Sequence, residues 1–134
     1  MLFRSRENKR FVEEYFRKVS KGDPSVTEDF ADDVTWWVPP SSPLSGTYRG
    51  KPAVLSLFAR GTKLYSPTDP FSVEVQGLVA EGSYVAAQVV IRAITAKGRS
   101  YENHYHFLFE IVDGKIKRVK EYVDTLYAQR VLFD

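Results

Sequence analysis

One carboxylate occupies a position where an apolar side chain is expected. The segment KIKRVKEYVDT, residues 115–125, alternates as a β-strand with Val119, Glu121 and Val123 on one face. The opposite face carries basic residues and a tyrosine, so it is the solvated one. Burial of a carboxylate among apolar groups is costly unless it is hydrogen-bonded, and it raises the pKa. A Glu121 that is partly neutral near pH 7 is suited to exchange protons with a substrate.

The hairpin at residues 113–114 allows two registers with different chemistry. A two-residue loop sets His106 opposite Glu121, which would form a histidine–carboxylate pair. A three-residue loop sets Tyr105 opposite Glu121, Phe107 opposite Val119 and Asn103 opposite Val123. We favour the second register because it pairs apolar side chains, and because a slip of one residue turns a whole strand over. His106 then lies on the solvated face.

This register predicts the members of a site on the concave face of a sheet. The predicted catalytic residues are Glu121, Tyr105 and Asn103. The predicted substrate-binding residues are Trp36, Tyr15, Val89, Ile91, Phe107, Val119 and Val123. Asp124 and His104 are secondary candidates. Asp124 precedes a short C-terminal segment and is better suited to be an N-cap. His104 and His106 have a spacing that can bind metal, but without a third ligand we predict no metal site.

The pattern of elements predicts an α+β fold with N-terminal helices and a curved antiparallel sheet. Apolar residues recur with helical spacing from Phe11 to Val19, and Gly22 ends that helix. A short helix follows Asp23, a strand covers residues 33–38, and another helix begins near Lys51. From Phe71 onward the period is two, with turns near residues 82, 97 and 114. The helices are expected to pack on one side of the sheet.

The composition excludes several classes of protein. The 134 residues fit one domain, 1–134, with 43% hydrophobic residues and a net charge of only +2. Such a charge gives no footprint for nucleic acid or for an anionic membrane. The chain has no cysteine, no membrane-spanning apolar run, no signal-peptide core and no cofactor-binding motif. We therefore expect a cytoplasmic protein without cofactors.

Three stretches carry a family resemblance: DDVTWWVPPSSPLSGTYRGKPAV, the strand beginning GRSYENHY, and DGKIKRVKEYVDT. Together they resemble the SnoaL-like proteins of the NTF2-like superfamily, which are related to ketosteroid isomerase. The resemblance implies a cone in which a bent sheet wraps helices around an apolar pocket. It also implies a homodimer through the outer face of the sheet. The activities it implies include polyketide cyclase, ketosteroid isomerase and epoxide hydrolase, alongside non-enzymatic relatives.

The resemblance assigns roles to individual positions. Glu121 matches an acidic catalytic residue on the last strand of the epoxide hydrolases, and Trp36 matches a pocket tyrosine. Ala87 and Val89 stand where those hydrolases have an arginine and an aspartate, which argues against epoxide hydrolysis. Tyr105 is a candidate hydroxyl donor to a carbonyl substrate, as is Tyr15.

Two functions of different classes follow from these patterns. The first is a cofactor-free isomerase or cyclase that acts on an apolar carbonyl compound, with Glu121 moving the proton. The second is a non-catalytic module that binds a small lipophilic ligand or supports a homodimer. The fold by itself does not distinguish them, because one scaffold hosts many functions.

Overall fold

A computed structural model describes residues 2–134, which form three α-helices, two short helical turns and six strands. The α-helices are α1 (Leu2–Lys21), α2 (Lys51–Thr62) and α3 (Thr125–Ala128). The strands are β1 (Phe30–Val38), β2 (Gly46–Arg49), β3 (Ser72–Glu81), β4 (Tyr84–Ile94), β5 (Ser100–Val112) and β6 (Lys115–Val123). A 3₁₀ helix (Pro24–Asp29) follows α1, and a π-helical turn (Gln129–Phe133) follows α3.

The strands form one sheet in the order β2-β1-β6-β5-β4-β3. All neighbours are antiparallel except β1 and β6, which run parallel. The α+β class and the antiparallel meander are confirmed, whereas the parallel pair corrects the all-antiparallel expectation. The long connection from β1 to β6, which includes α2, allows this pairing. The sequence pattern does not predict the four-residue β2, because so short a segment shows no readable alternation.

The helices pack on the concave face of the sheet, where the core lies. Val12 and Phe16 of α1 are buried, and the ring of Phe16 contacts Phe107 and Phe109 of β5 at centroid distances of 5.5 and 5.6 Å. The helical stripe predicted from the sequence therefore faces the sheet. Gly22 follows α1 with a φ of 67°, a left-handed conformation that favours glycine. No helix within residues 2–134 is long and apolar enough to cross a membrane.

The β5–β6 hairpin differs from both predicted registers. Asp113 and Gly114 have positive φ values of 51° and 71°, and Val112 pairs with Lys115 across this two-residue turn. Lys117 is then the extra residue of a bulge, because Ile111 pairs with Ile116 but Glu110 pairs with Arg118. As a result Phe107 faces Glu121, Phe109 faces Val119 and Tyr105 faces Val123.

The favoured register is therefore wrong by two residues, but its assignment of faces is right. A shift of two preserves the side of the sheet on which each side chain lies. The bulge restores the parity that the two-residue turn alone would have reversed. Glu121 remains on the same face as Phe107 and Tyr105, and both histidines lie on the other face.

The outer face of the sheet is mostly polar. Arg92 bridges Glu74 and Glu102 on the neighbouring strands, each at 2.6 Å. Val90 is the apolar exception on this face: it is fully buried, and its cross-strand partners are Glu74 and His104.

Candidate functional site

Glu121 lies on the concave face of β6, between the aromatic core and the partly exposed end of the cone. Its Oε1 accepts a hydrogen bond of 3.0 Å from the indole Nε1–H of Trp36 on β1. The residue is neither fully buried nor freely exposed. Burial raises the pKa of Glu121 to about 7, against the opposing effect of the Trp36 hydrogen bond, which lowers it. Near neutral pH the group is therefore divided between carboxyl and carboxylate.

Aromatic rings hold the indole of Trp36 in place. Phe58 of α2 contacts it edge-on at a centroid distance of 5.0 Å, Phe107 at 5.9 Å and Phe30 at 6.3 Å. Such edge-to-face contacts fix the ring orientation and contribute about 1 kcal/mol each beyond area burial. These contacts hold the indole N–H of Trp36 in a fixed position relative to Glu121. On β6 itself, Glu121 is flanked on its face by Val119 and Val123, so its own strand provides no ionic partner.

Four tyrosine phenols lie close enough to this carboxyl group for its charge to affect them. They are Tyr15 on α1, Tyr65 after α2, and Tyr101 and Tyr105 on β5. Burial raises the pKa of each phenol above its ordinary value, and the charge of Glu121 contributes in each case. All four therefore keep their protons throughout the neutral range, so that they can serve as hydrogen-bond donors but not as bases.

A chain of hydrogen bonds links two of these hydroxyls to Asn103. The Tyr101 and Tyr105 hydroxyls are 2.7 Å apart, and Asn103 Nδ2 donates to the Tyr101 hydroxyl at 2.9 Å. The same Nδ2 donates to the carbonyl of Asp124 at 3.1 Å, while Asn103 Oδ1 accepts from the backbone N–H of His104 at 2.9 Å. Asn103 is 2% exposed and its amide is fully engaged, so it supports the tyrosines and does not face the open end.

The structure divides the predicted substrate-binding residues into two groups. Five of them are buried members of the core: Tyr15, Trp36, Val89, Phe107 and Val119. Ile91 and Val123 are partly exposed, as is Tyr105, and these three border the accessible part of the concave face. The rings of Tyr105 and Phe107 stack at 5.7 Å with an interplanar angle of 2°. Any ligand would contact the partly exposed group first.

The secondary candidates take structural positions. Asp124 is the N-cap of α3, and its side chain accepts a hydrogen bond from the backbone N–H of Tyr127 at 3.1 Å. The N-cap interpretation is therefore confirmed. His104 is exposed on the outer face and does not reach Glu121. Among residues 2–134 no cluster of three potential metal ligands occurs.

Sequence reasoning missed Tyr65, Tyr101 and Phe58. Tyr101 shares strand parity with Asn103 and Tyr105, so the alternation of YENHY was a signal that could have identified it. Tyr65 lies in an irregular segment that forms a single bridge with Thr95, and Phe58 lies on a helix. No local pattern predicts that Tyr65 lies within range of the charge of Glu121 or that Phe58 packs against Trp36.

Two surface depressions flank α1 at a distance from this site. One, of about 420 Å³, is lined by four polar residues of α1 and by residues 75–78 of β3. The other, of about 410 Å³, lies between α1 and Asp29. Both are open and mostly charged, and neither includes Glu121 or the tyrosines. The candidate site therefore lies on the concave face and not in these depressions.

Comparison with solved structures gives closely similar folds at low sequence identity. Bal32a, from a soil-derived mobile gene cassette, superposes with a TM-score of 0.83 at 20% identity, over 98% of this chain and 99% of that one. An NTF2-like protein of unknown function from Burkholderia pseudomallei gives 0.81 at 20%, over 95% and 98%. TerC, co-crystallised with polyporic acid, gives 0.81 at 16%, over 95% and 98%. At these identities the likeness establishes the NTF2-like fold alone.

The family is established by a separate comparison. No curated protein matches the sequence. The family model of the SnoaL-like domain matches residues 12–119, which include the second half of α1 and every strand up to Val119 of β6. The match covers well over half of the chain and agrees with the fold described above. The chain belongs to the SnoaL-like domain family.

Proposed function

We propose that the protein is a cofactor-free acid–base enzyme that moves a proton next to the carbonyl group of an apolar compound, as isomerases and cyclases do. The observation that carries this proposal is the position of Glu121. Its pKa is raised to about 7, and the protonated phenol of Tyr105 lies within range of its charge. A base is most effective when its pKa is near the working pH.

The proposed reaction uses two kinds of group. The carboxylate of Glu121 removes a proton from the carbon adjacent to the carbonyl, and the carbonyl oxygen gains the negative charge of an enolate. The hydroxyl of Tyr105 donates a hydrogen bond to that oxygen, which stabilises the charge as it forms. The neutral carboxyl of Glu121 then returns the proton to the same or another carbon. Tyr105 and Glu121 are diagonal neighbours on adjacent strands, with Cα atoms about 7 Å apart, which leaves room for a substrate edge between them.

The substrate class follows from the walls of the site. Ile91 and Val123 offer apolar contact beside Tyr105, and the ring of Phe58 lies next to Trp36. These walls favour a lipophilic ring compound with one or two oxygens, such as a polyketide-like or steroid-like molecule. The co-crystallisation of TerC with polyporic acid supports testing small organic ligands of this size.

A second function is favoured by the packing beneath Glu121. Five of the seven predicted lining residues are buried in the core, which leaves a shallow concave site. A shallow site suits a protein that holds a small lipophilic ligand without changing it. Recovery of a bound ligand chemically unchanged, with equal affinity for the Glu121→Gln protein, would support this binding module.

A homodimer accompanies either function in the proposal. The family resemblance suggests pairing through the outer face of the sheet. On that face Trp37 and Tyr122 contact each other at a centroid distance of 5.1 Å, and the ammonium group of Lys120 lies 5.2 Å from the Trp37 ring. Tyr122 is 45% exposed, and together with Trp37 it forms an aromatic patch that a second copy would cover.

The decisive experiment measures proton exchange and needs no natural substrate. Ketones such as 2-acetylnaphthalene and 2-tetralone are incubated with the protein in deuterated buffer, and deuterium at the carbon next to the carbonyl is followed by mass spectrometry. We expect uptake above the buffer rate, reduced at least a hundredfold by Glu121→Gln, because general base catalysis typically contributes 10²–10⁴-fold.

Glu102→Gln is the matched control. Glu102 is an exposed glutamate of the outer face, so its replacement changes the same charge without touching the site. The rate of uptake should follow the ionisation of a group with a pKa of about 7. Exchange that is equal in the wild type and in Glu121→Gln would contradict the enzymatic proposal.

A further inference from the structure

We infer that Asn103 sets the direction of the tyrosine hydrogen-bond chain, so that the open end of this chain always offers a proton and selects ligands that accept one. Asn103 is thereby a positioning residue that acts through Tyr101 and Tyr105. This inference rests on the proposed function in placing the ligand beside Tyr105. It adds the chemical class that the site selects, which is a ketone or an enolate in preference to an apolar isostere.

The orientation of the Asn103 amide is fixed by its neighbours. The backbone N–H of His104 needs an acceptor, and the carbonyl of Asp124 needs a donor. An amide turned by 180° would place a donor against the N–H and an acceptor against the carbonyl. Nδ2 must therefore point towards Asp124, and its second hydrogen is directed to the Tyr101 hydroxyl at 2.9 Å.

The orientation of Asn103 then determines which hydroxyl donates and which accepts between Tyr101 and Tyr105. The oxygen of Tyr101 accepts from Asn103, and Tyr101 is only 2% exposed, so its own proton needs a protein acceptor. The oxygen of Tyr105 lies 2.7 Å away and provides it. The proton of Tyr105 must in turn be donated outward.

Tyr65 does not alter this outcome. The ring of Tyr65 packs against the ring of Tyr101 at a centroid distance of 5.9 Å, and the interaction of its phenol with Tyr105 partly offsets the rise in its pKa. If Tyr105 donates to Tyr65, the proton of Tyr65 becomes the free one at the end of the chain. Whichever hydroxyl contacts a ligand, the last group of the chain is a donor.

The C-terminal segment positions Asn103, the first residue of the hydrogen-bond chain. The carbonyl that orients Asn103 belongs to Asp124, the N-cap of α3. Tyr127 of α3 packs its ring against Tyr101 at 5.5 Å, and its hydroxyl accepts the backbone N–H of Glu102 at 3.0 Å. The segment therefore contacts β5 at Asn103 and at the two residues that precede it, Tyr101 and Glu102.

The test compares two neutral ligands of the same shape. 2-Acetylnaphthalene presents a carbonyl oxygen, whereas 2-isopropenylnaphthalene has a methylene group in its place. We expect the wild type to bind the ketone about fivefold to tenfold more tightly, the effect of one net hydrogen bond. The ratio of the two affinities is measured by quenching of tryptophan fluorescence at pH 8.5. This ratio reports only whether the site donates a hydrogen bond to the ligand.

Asn103→Asp is the informative variant, because its carboxylate can only accept. Tyr101 would then donate to the carboxylate and Tyr105 would donate to Tyr101, so the open end becomes an acceptor. We expect the preference for the ketone to fall to about one. The corresponding alcohol, 1-(2-naphthyl)ethanol, can donate and should still bind more tightly than the alkene. This retained binding distinguishes a reversed chain from a damaged site.

Two further variants complete the design. Tyr101→Phe interrupts the hydrogen-bond chain without adding charge. It should reduce the preference for the ketone about twofold to threefold. This variant provides the test if Asn103→Asp does not fold. Tyr84→Phe removes the hydroxyl of an exposed tyrosine outside the hydrogen-bond chain, and it should keep the wild-type ratio.

The outcomes separate this inference from the enzymatic proposal. A wild type without preference for the ketone would overturn the inference, as would a folded Asn103→Asp protein that keeps the preference. Repeating the affinity measurement with Glu121→Gln tests the ketone preference separately from proton transfer by Glu121. A wild type that prefers the ketone but does not catalyse deuterium exchange would contradict the proposed enzyme and leave the role of Asn103 unaffected. A Glu121→Gln protein that keeps the preference would show that the role of Asn103 does not depend on Glu121.

Discussion

At the scale of single residues, the ionisation of Glu121 couples the site to the stability of the fold. Burial favours the neutral acid, while the indole N–H of Trp36 favours the anion, and burial has the larger effect. The folded protein therefore holds a proton on Glu121 at pH values where the unfolded chain has released it. Stability from this proton is present below the ordinary pKa of 4.5 and is lost as the pH rises through about 7.

This linkage predicts a pH-dependent difference between the wild type and Glu121→Gln. The amide cannot ionise, so the free energy of unfolding of the variant should gain about 2 kcal/mol relative to the wild type between pH 5.5 and pH 8.5. Urea denaturation at the two pH values measures it. Glu102→Gln, at an exposed position, should give no such trend. A constant difference between the two proteins would mean that the carboxyl group of Glu121 has an ordinary pKa.

At the scale of elements, the β5–β6 hairpin determines which face Glu121 occupies. The turn at residues 113–114 needs positive φ at both positions, and the bulge at Lys117 then corrects the parity. Both features are local, yet together they decide the face of a carboxyl group seven residues beyond Gly114. Glycine is favoured at 114, where φ is 71°, but not at Gly61, which lies within α2.

Two glycine substitutions should therefore have opposite effects. Gly114→Ala forces a side chain into the left-handed region and should lower the free energy of unfolding by about 1 kcal/mol. Gly61→Ala should raise it by up to about 1 kcal/mol, because alanine has the higher helix propensity and its Cβ would meet no atom within 4 Å. Thermal and urea unfolding measure both. Equal signs for the two variants would contradict the assigned backbone conformations.

At the scale of the whole molecule, the sheet has two faces with different tasks. The concave face holds the core and the candidate site, and the outer face carries ion pairs and the aromatic pair of Trp37 and Tyr122. An interface on the outer face would leave the concave face of each copy open to ligand. Assembly and ligand binding could then be changed independently.

The proposed homodimer is tested by sedimentation velocity across a range of protein concentrations. We expect a dimer for the wild type and a shift to monomer for Tyr122→Glu, because the variant places a charge at the centre of the aromatic pair. Tyr84→Glu is a matched control at another exposed tyrosine, near the β3–β4 turn, and should leave the dimer unchanged. A wild type that remains monomeric at high concentration would refute the dimer.

The sequence by itself determined the fold class, the face on which Glu121 lies and the cap at Asp124. Each depends on information within a few residues: strand alternation, helical spacing or an aspartate before a helical turn. The tertiary structure decided the pairing of Glu121 with Trp36, the parallel contact between β1 and β6, and the gathering of Tyr65 with Tyr101 and Tyr105. Trp36 and Glu121 are 85 positions apart in the chain. Contacts of that range arise from how elements pack, and no local period encodes them.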